Sequence, residues 1–387
     1  MKRVQKMTQT IPIHHGTQLN GIESLRGVAA LMVLFFHIDK VLKLPPPDYL
    51  GFISTHFGNG VPLFYTLSGF VLAYGYIDCL ERRASVLHFY IRRLFRIAPL
   101  FYFMLLVWVA SGWLYWQSPP SLRTIFLDAT FLFGLVPGKH ESIVWAGWSV
   151  GIEMLFYLVF PVVALLIHNV RAALVAFVIV SILSDVARSA MQEAGLGSYA
   201  YMNLVTHLPN FIAGVASYRI WQRIHYARTL WGWLLLVVAL TLTLLLVRGP
   251  LSNLLLQRVS PFAPFYAWSI TYALFILATC TSAIPPLERG VMRYLGKISF
   301  SIYLLHPFIL LCLIKLDLIG SLVRLTTNVG IRFIFGSGVV MVLVLAASTV
   351  TFRWIEAPGV AVGRRVASRA KLFIETRNVP QRSAQHD

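Results

Sequence analysis

The stretch Leu25-Arg26-Gly27-Val28-Ala29-Ala30-Leu31-Met32-Val33-Leu34-Phe35-Phe36-His37 decides how this chain is read. It is an apolar run with one cation at its start and one imidazole about eleven residues on. An α-helix rises ~1.5 Å and turns ~100° per residue, so eleven steps are ~16 Å and three turns plus ~20°. Arg26 and His37 therefore share a face, with Arg26 at a membrane surface and His37 about halfway through a ~30 Å hydrocarbon core. An ionisable side chain at that depth is costly and marks a functional site by default; a neutral imidazole hydrogen-bonded between helices is the other reading.

Composition extends the membrane reading to the whole chain. Of 387 residues, 57% are hydrophobic and 12% charged, and mean hydropathy is +0.71. Soluble domains carry about 25% charged residues. The expected class is an all-α polytopic membrane protein with no soluble domain. Apolar windows fall at 22–40, 58–77, 97–116, 149–168, 172–190, 204–221, 230–248, 265–283, 298–316 and 334–353, about ten spans. The apolar stretch 122–137 is short for a crossing, and charge decides its placement. If it does not cross, about 23 of the 33 basic residues lie on one side; if it crosses, the split is about 16 to 17. The first arrangement obeys the positive-inside rule. It makes 122–137 a re-entrant or interfacial segment and both termini cytoplasmic.

The domain reading is a cytoplasmic segment at 1–21, a membrane domain at 22–358 and a basic cytoplasmic tail at 359–387, on the anionic inner surface or disordered. The net charge of +18 fits this topology and an anionic lipid surface, and no nucleic-acid motif accompanies it. Cys79, Cys280 and Cys312 have neither metal nor disulfide spacing, so no metal site is expected. Oligomeric state leaves no mark.

Four groups could do chemistry. Glu23, Arg26 and His37 share the first span, with Glu23 and Arg26 spaced as a local ion pair. In His88-Phe89-Tyr90-Ile91-Arg92-Arg93-Leu94-Phe95-Arg96, either Arg93 and Arg96 or Arg92 and Arg96 share a face. Two guanidinium forks bind phosphate bidentately, though such a cluster also anchors a cytoplasmic loop. In Trp145-Ala146-Gly147-Trp148-Ser149-Val150-Gly151-Ile152-Glu153-Met154-Leu155-Phe156-Tyr157, the tryptophans mark the outer interface and put Glu153 in the outer third of the span. A Glu there needs a raised pKa or a partner such as Arg or Tyr. Finally, Tyr303-Leu304-Leu305-His306-Pro307 places a second histidine in the membrane beside a proline that would kink its helix. His306 suits a structural or a catalytic role. Ser68, in Leu67-Ser68-Gly69, reads as close helix packing rather than as a nucleophile.

Together these residues resemble the acyltransferase-3 family of membrane O-acyltransferases, over about residues 20 to 358. The likeness rests on Arg26 and His37 in the Arg-x10-His spacing, Phe64 to Leu72, Arg92 to Pro99, Trp148 to Tyr157, Phe211 to Gly214, Leu295 to His306 and Ile355 to Pro358. Many relatives carry a further extracytoplasmic hydrolase-like domain; none follows here, so the acyl group is expected to pass directly to its acceptor. The resemblance implies a bacterial inner-membrane enzyme with no permanently bound cofactor. It would take an acyl group, acetyl by expectation, from cytoplasmic acyl-CoA to a hydroxyl of a cell-envelope or secreted saccharide or glycolipid. Arg26, Arg92, Arg93 and Arg96 would hold the CoA phosphates, and His37 would be the general base. Glu153 would orient His37 or bind sugar hydroxyls, supported by Glu23, Ser68, Tyr157 and His306. The competing expectation is a proton-coupled transporter or flippase, for which buried His and Glu also serve, although no inverted repeat is visible.

Overall fold

The computed structural model describes residues 20–78, 80, 83–224, 229–318, 320 and 327–377. Most of the expected N-terminal segment, the end of the tail, Cys79, Arg82 and Arg228 lie outside them. The described residues are helical, with no strand among them. In chain order the helices are α1 (Asn20–Leu42), α2 (Phe52–His56), α3 (Gly60–Tyr76), α4 (Arg83–Leu114), α5 (Leu122–Ala129), α6 (Gly147–Leu166), α7 (Val170–Glu193) and α8 (Leu204–Ile224). Then come α9 (Thr229–Val247), α10 (Pro250–Arg258), α11 (Ala263–Thr281), α12 (Pro285–Glu288), α13 (Gly290–Lys297), α14 (Ser299–Lys315), α15 (Val329–Thr351) and α16 (Ala357–Arg377). Local chemistry sets several starts. Ser121, Asn169 and Asn328 each accept a backbone N–H of the first turn of α5, α7 and α15.

Each of the ten apolar windows holds a helix, yet six helices among the described residues are long and apolar enough to cross a membrane, or seven if α13 and α14 form one bent span. The others fall short for physical reasons. α3 and α14 have 17 residues each, and α1 carries Glu23, Arg26, Asp39 and Lys40. α3 is buried along most of its length, so it meets protein rather than lipid and need not be as apolar or as long. By contrast α7 and α9 expose Leu174, Val178, Ile182, Leu234, Val237 and Leu244, as a lipid-facing wall does.

Backbones approach closely where glycine allows it. A Cβ on Gly214 of α8 would meet the Thr66 carbonyl oxygen, and one on Gly69 of α3 would meet the Phe211 carbonyl. Gly27 of α1 lies the same way against Gly296 of α13. Small residues at such crossings let helices gain van der Waals contact where hydrocarbon gives no hydrophobic drive.

Three local expectations change. The helix expected from residue 97 begins at Arg83, so Arg92, Arg93 and Arg96 lie on one continuous rod. α14 continues through Pro307, and the 66° bend falls upstream, between α13 and α14. The tail from 359 is not irregular up to Arg377 but helical: a π turn at Phe352–Glu356 joins α15 to α16. α16 lies along α4 with Gly359 on Pro99 and Gly363 on Phe95.

The stretch 122–137 holds no helix long enough to cross a membrane. α5 has eight residues, ~12 Å of helix, and ends on buried Asp128 and Ala129. Asp128 Oδ1 accepts from Ile143 N at 3.0 Å and from Ser142 Oγ. That ties down the loop that delivers Trp145 and left-handed Ala146 (φ 69°) to the start of α6.

Two predictions follow from this packing. Gly214→Val should lower the thermal unfolding midpoint of the detergent-solubilised protein, at a cost of ~1–3 kcal/mol by overpacking; an unchanged midpoint would refute the close α3–α8 contact. Burial pushes the Asp128 carboxyl up to about 6, against the pull of Ser142 and Ile143, while its unfolded value is ~3.9. The folded chain thus holds a proton that the unfolded chain releases, a contribution present below about pH 4 and lost as pH rises through about 6. Midpoints measured from pH 4 to 7 should fall across that window, and fall less in Asp128→Asn.

Candidate active site

Two histidines from opposite ends of the chain meet inside the bundle. His37 on α1 and His306 on α14 have ring centroids 5.0 Å apart, and His306 Nε2 lies 3.2 Å from His37 Nδ1. Their partners fix which nitrogens carry protons. His37 Nδ1 is 2.9 Å from the Val33 carbonyl oxygen and His306 Nδ1 is 3.2 Å from that of Ile302. A carbonyl only accepts, so each Nδ1 bears its hydrogen. His306 Nε2 is then a lone pair facing the His37 Nδ1–H, which it shares with Val33. The proton-free nitrogen of His37 is Nε2, the atom a general base uses. Trp145 packs edge-on to the His37 ring at 5.8 Å, and His306 is fully buried.

A second polar layer surrounds Arg26. This residue lies over the Phe64 ring at 5.9 Å and, with Glu153, Ser149, Tyr65 and Tyr303, lines a cavity of about 30 Å³. That is space for a water or two. Glu153 Oε1 accepts from Tyr157 Oη at 2.7 Å and from Ser68 Oγ. Above Tyr157 lies Arg93, 5.8 Å from that ring and 4.9 Å from Tyr76. Neither Arg26 Nε nor Arg93 Nε has a hydrogen-bond partner, although both are buried atoms. Arg96 Nη1 pairs with Glu356, which also accepts from Ser301 at 2.8 Å and is 1% exposed.

The inward pair of the arginine cluster is thus Arg93 and Arg96, while Arg92 is exposed. Glu23 and Arg26 are not among the ion pairs of the described residues; Glu23 instead lends its backbone to the Gly296 contact. Glu153 lines the same cavity as Arg26, and His306 is the side chain within hydrogen-bond range of His37. α6 starts at Gly147, with Trp145 at the level of His37 and Glu153 ~9 Å further along the helix. Ser68 serves both packing, through Gly69, and the carboxylate. Tyr303 was not singled out beforehand. Its Oη is 2.6 Å from Ser149 Oγ and its ring lies 5.6 Å from Phe64 and 5.8 Å from His306, so it joins the two layers. Glu356 entered the sequence reading only within the Ile355 to Pro358 segment, with no role given to it, although a lone acid closing a long apolar run is a sequence signal.

Residues 19–352 match the family described as an acyltransferase domain. The chain belongs to the acyltransferase-3 family. It is also similar to a protein of Komagataeibacter xylinus named "Putative membrane-bound transacylase BcsY", with 26% identity over 212 residues. That alignment takes in 50% of this chain and 49% of the other, so the chain spans about half the length of the curated relative it matches. No solved structure matches.

Removing one member of a buried ion pair costs ~3–5 kcal/mol when the other is left unanswered. Arg96 is partly exposed, with 27% of its side chain accessible, so Glu356→Ala should cost about half of that. A double-mutant cycle with Arg96→Ala, read by thermal unfolding, should show the two effects to be strongly non-additive; simple additivity would dissolve the clamp.

Proposed function

We propose that this chain is an integral-membrane O-acyltransferase of about ten spans in a bacterial inner membrane, with both termini cytoplasmic. It moves an acetyl group from acetyl-CoA to a hydroxyl of a cell-envelope or secreted saccharide. Family membership supports acyl transfer, and the multi-helix apolar architecture supports a membrane location. The observation that carries the mechanism is the His37–His306 pair, which presents an unprotonated Nε2 one helix face and ~16 Å from Arg26.

In this reading the CoA phosphates meet Arg93 and Arg26, whose Nε atoms lack partners. Arg96, already paired with Glu356, shapes the cluster more than it binds. An extended pantetheine arm reaches from this layer toward His37. The acceptor hydroxyl loses its proton to His37 Nε2 as its oxygen attacks the thioester carbonyl. The new C–O bond forms, the C–S bond breaks, and the imidazolium returns the proton to the leaving thiolate. Free CoA thiol and neutral His37 result. His306, accepting from Nδ1–H, steadies the imidazolium while it exists.

Membranes carrying wild type or His37→Ala, supplied with radiolabelled acetyl-CoA and an envelope-glycan extract, test this. Label should enter the glycan with wild type and fall ~10²–10⁴-fold with the variant at equal protein level. His306→Ala should lower kcat less than that and leave the KM for acetyl-CoA unchanged. Equal labelling by wild type and His37→Ala would remove His37 from the chemistry, and uptake driven by a proton gradient with no thiol release would replace the enzyme by a transporter.

A further inference from the structure

At the end of the bundle where Trp145 meets His37, a second cluster stands apart from the residues used above. Arg188, near the end of α7, has its guanidinium 4.2 Å from the Phe262 ring centroid, 5.6 Å from Tyr201 and 5.7 Å from Phe265. Its Nε is buried and has no hydrogen-bond partner, and no carboxylate of the described residues pairs with it. Asp185, one turn earlier, is occupied by Ser260 at 2.6 Å and Tyr266 at 3.3 Å. A cation walled by three rings, whose nearest acid, Asp185, acts on it through space while bonded to Ser260 and Tyr266, has room in its bonding for an anion from outside.

The same rings hold a second unanswered group. His207 is 0% exposed, with the Tyr201 backbone as a marginal polar neighbour and neither nitrogen in good hydrogen-bond geometry. Tyr201 and Phe265, which flank Arg188, also flank it, at 4.8 and 5.4 Å, and Trp148 lies 5.8 Å away. A buried polar group costs ~1–3 kcal/mol when unpaired, so an imidazole held this weakly has capacity for a further hydroxyl. Trp148 also meets Tyr201 at 5.6 Å. The two tryptophans on either side of left-handed Ala146 therefore divide their contacts, Trp145 to His37 and Trp148 to the Arg188 cluster.

We infer that the Arg188–Tyr201–His207 cluster is a recognition subsite for an acidic saccharide, whose oxyanion pairs with Arg188, whose ring lies on Tyr201 and Trp148, and whose hydroxyl reaches His207. The inference rests on the acyl-acceptor reading above and names the chemical class of that acceptor. Aromatic faces suit the C–H faces of a sugar, while a planar guanidinium suits a carboxylate or a phosphate. Trp148 on the cluster and Trp145 on His37 are three residues apart in the chain, which places the two groups near one another.

Titration calorimetry on the full chain in lipid nanodiscs, with no acyl donor, tests the subsite using glucuronate, glucose 1-phosphate, glucose and inorganic phosphate. At least one acidic sugar should bind about tenfold or more tighter than glucose and than inorganic phosphate. The tighter of the two acids then assigns carboxylate or phosphate. Arg188→Gln should erase the preference, and Arg188→Lys, which keeps the charge but loses the fork, should retain part of it and serves if the first variant does not fold. Trp148→Leu should weaken all three sugars and leave inorganic phosphate unchanged. Equal affinity for glucose and both acids, a preference that survives Arg188→Gln, or no binding at all would overturn the subsite and leave Arg188 a packing staple. Because the titration needs no donor, acid-selective binding without acyl transfer would sink the enzyme reading alone. Transfer without acid selectivity would sink this inference alone.

Discussion

An imidazole inside a bilayer has no water to bond with, so the protein itself must supply its partner. Here His306 supplies it to His37, and the demands of that contact reach through the bundle. The bond forms only if α1 and α14 lie side by side at the right depth, and their spacing is set elsewhere. Gly27 on Gly296 brings α1 against α13, and the 66° bend between α13 and α14 then turns the next helix alongside α1. A side chain on either glycine would separate backbones that must touch for the imidazoles to meet. The carbonyls of Val33 and Ile302 complete the arrangement by fixing both tautomers. A single helical geometry thus sets position and protonation together.

The Arg26 layer obeys the same constraint differently. Its cations are answered by ring faces and by one shared carboxylate, not by one-to-one ion pairs: Phe64 under Arg26, Tyr76 and Tyr157 under Arg93, Glu153 held by two hydroxyls. Quadrupole contacts lower the desolvation cost of a guanidinium without spending its N–H groups; Arg93 gives one to Tyr76, and its Nε, like that of Arg26, stays without a partner. Arg96 shows the contrast. Paired with fully buried Glu356, it ties α4 to the π turn ahead of α16 and through Ser301 to α14. Two arginines three residues apart on one helix thus have different duties because one has a carboxylate within reach and the other has aromatic rings.

What the sequence revealed follows from how locally each feature is encoded. The ten apolar windows were legible because each is a continuous run, and the depth difference between Arg26 and His37 because both lie on one helix. Contacts between distant segments were not. His37 and His306 are 269 residues apart, and nothing at either position names the other. Nor did the sequence show that Glu153 lies beside Ser68 and Arg26, which come from two other helices. Charge counting treated residues 359–377 as a tail because they are basic, yet Gly359 and Gly363 let that strongly basic helix lie against α4. Packing through small residues leaves little trace in hydropathy.

The separation of the two layers bears on water as well as on reach. Phe64, Tyr303 and Ser149 fill the space between Arg26 and the histidines, and the cavity among them is about 30 Å³. A thioester drawn through such a gap would displace the water or two it can hold, leaving little solvent near its carbonyl. Tyr303 contributes to this in two ways. Its ring fills the gap between Phe64 and His306, and its hydroxyl is committed to Ser149 at 2.6 Å, so the wall is closed without leaving a free polar group to recruit water. In the reaction proposed above, a tight, mostly apolar passage between the arginine layer and the histidine pair favours transfer over hydrolysis, because solvent is excluded along the route the donor's reactive carbon would take.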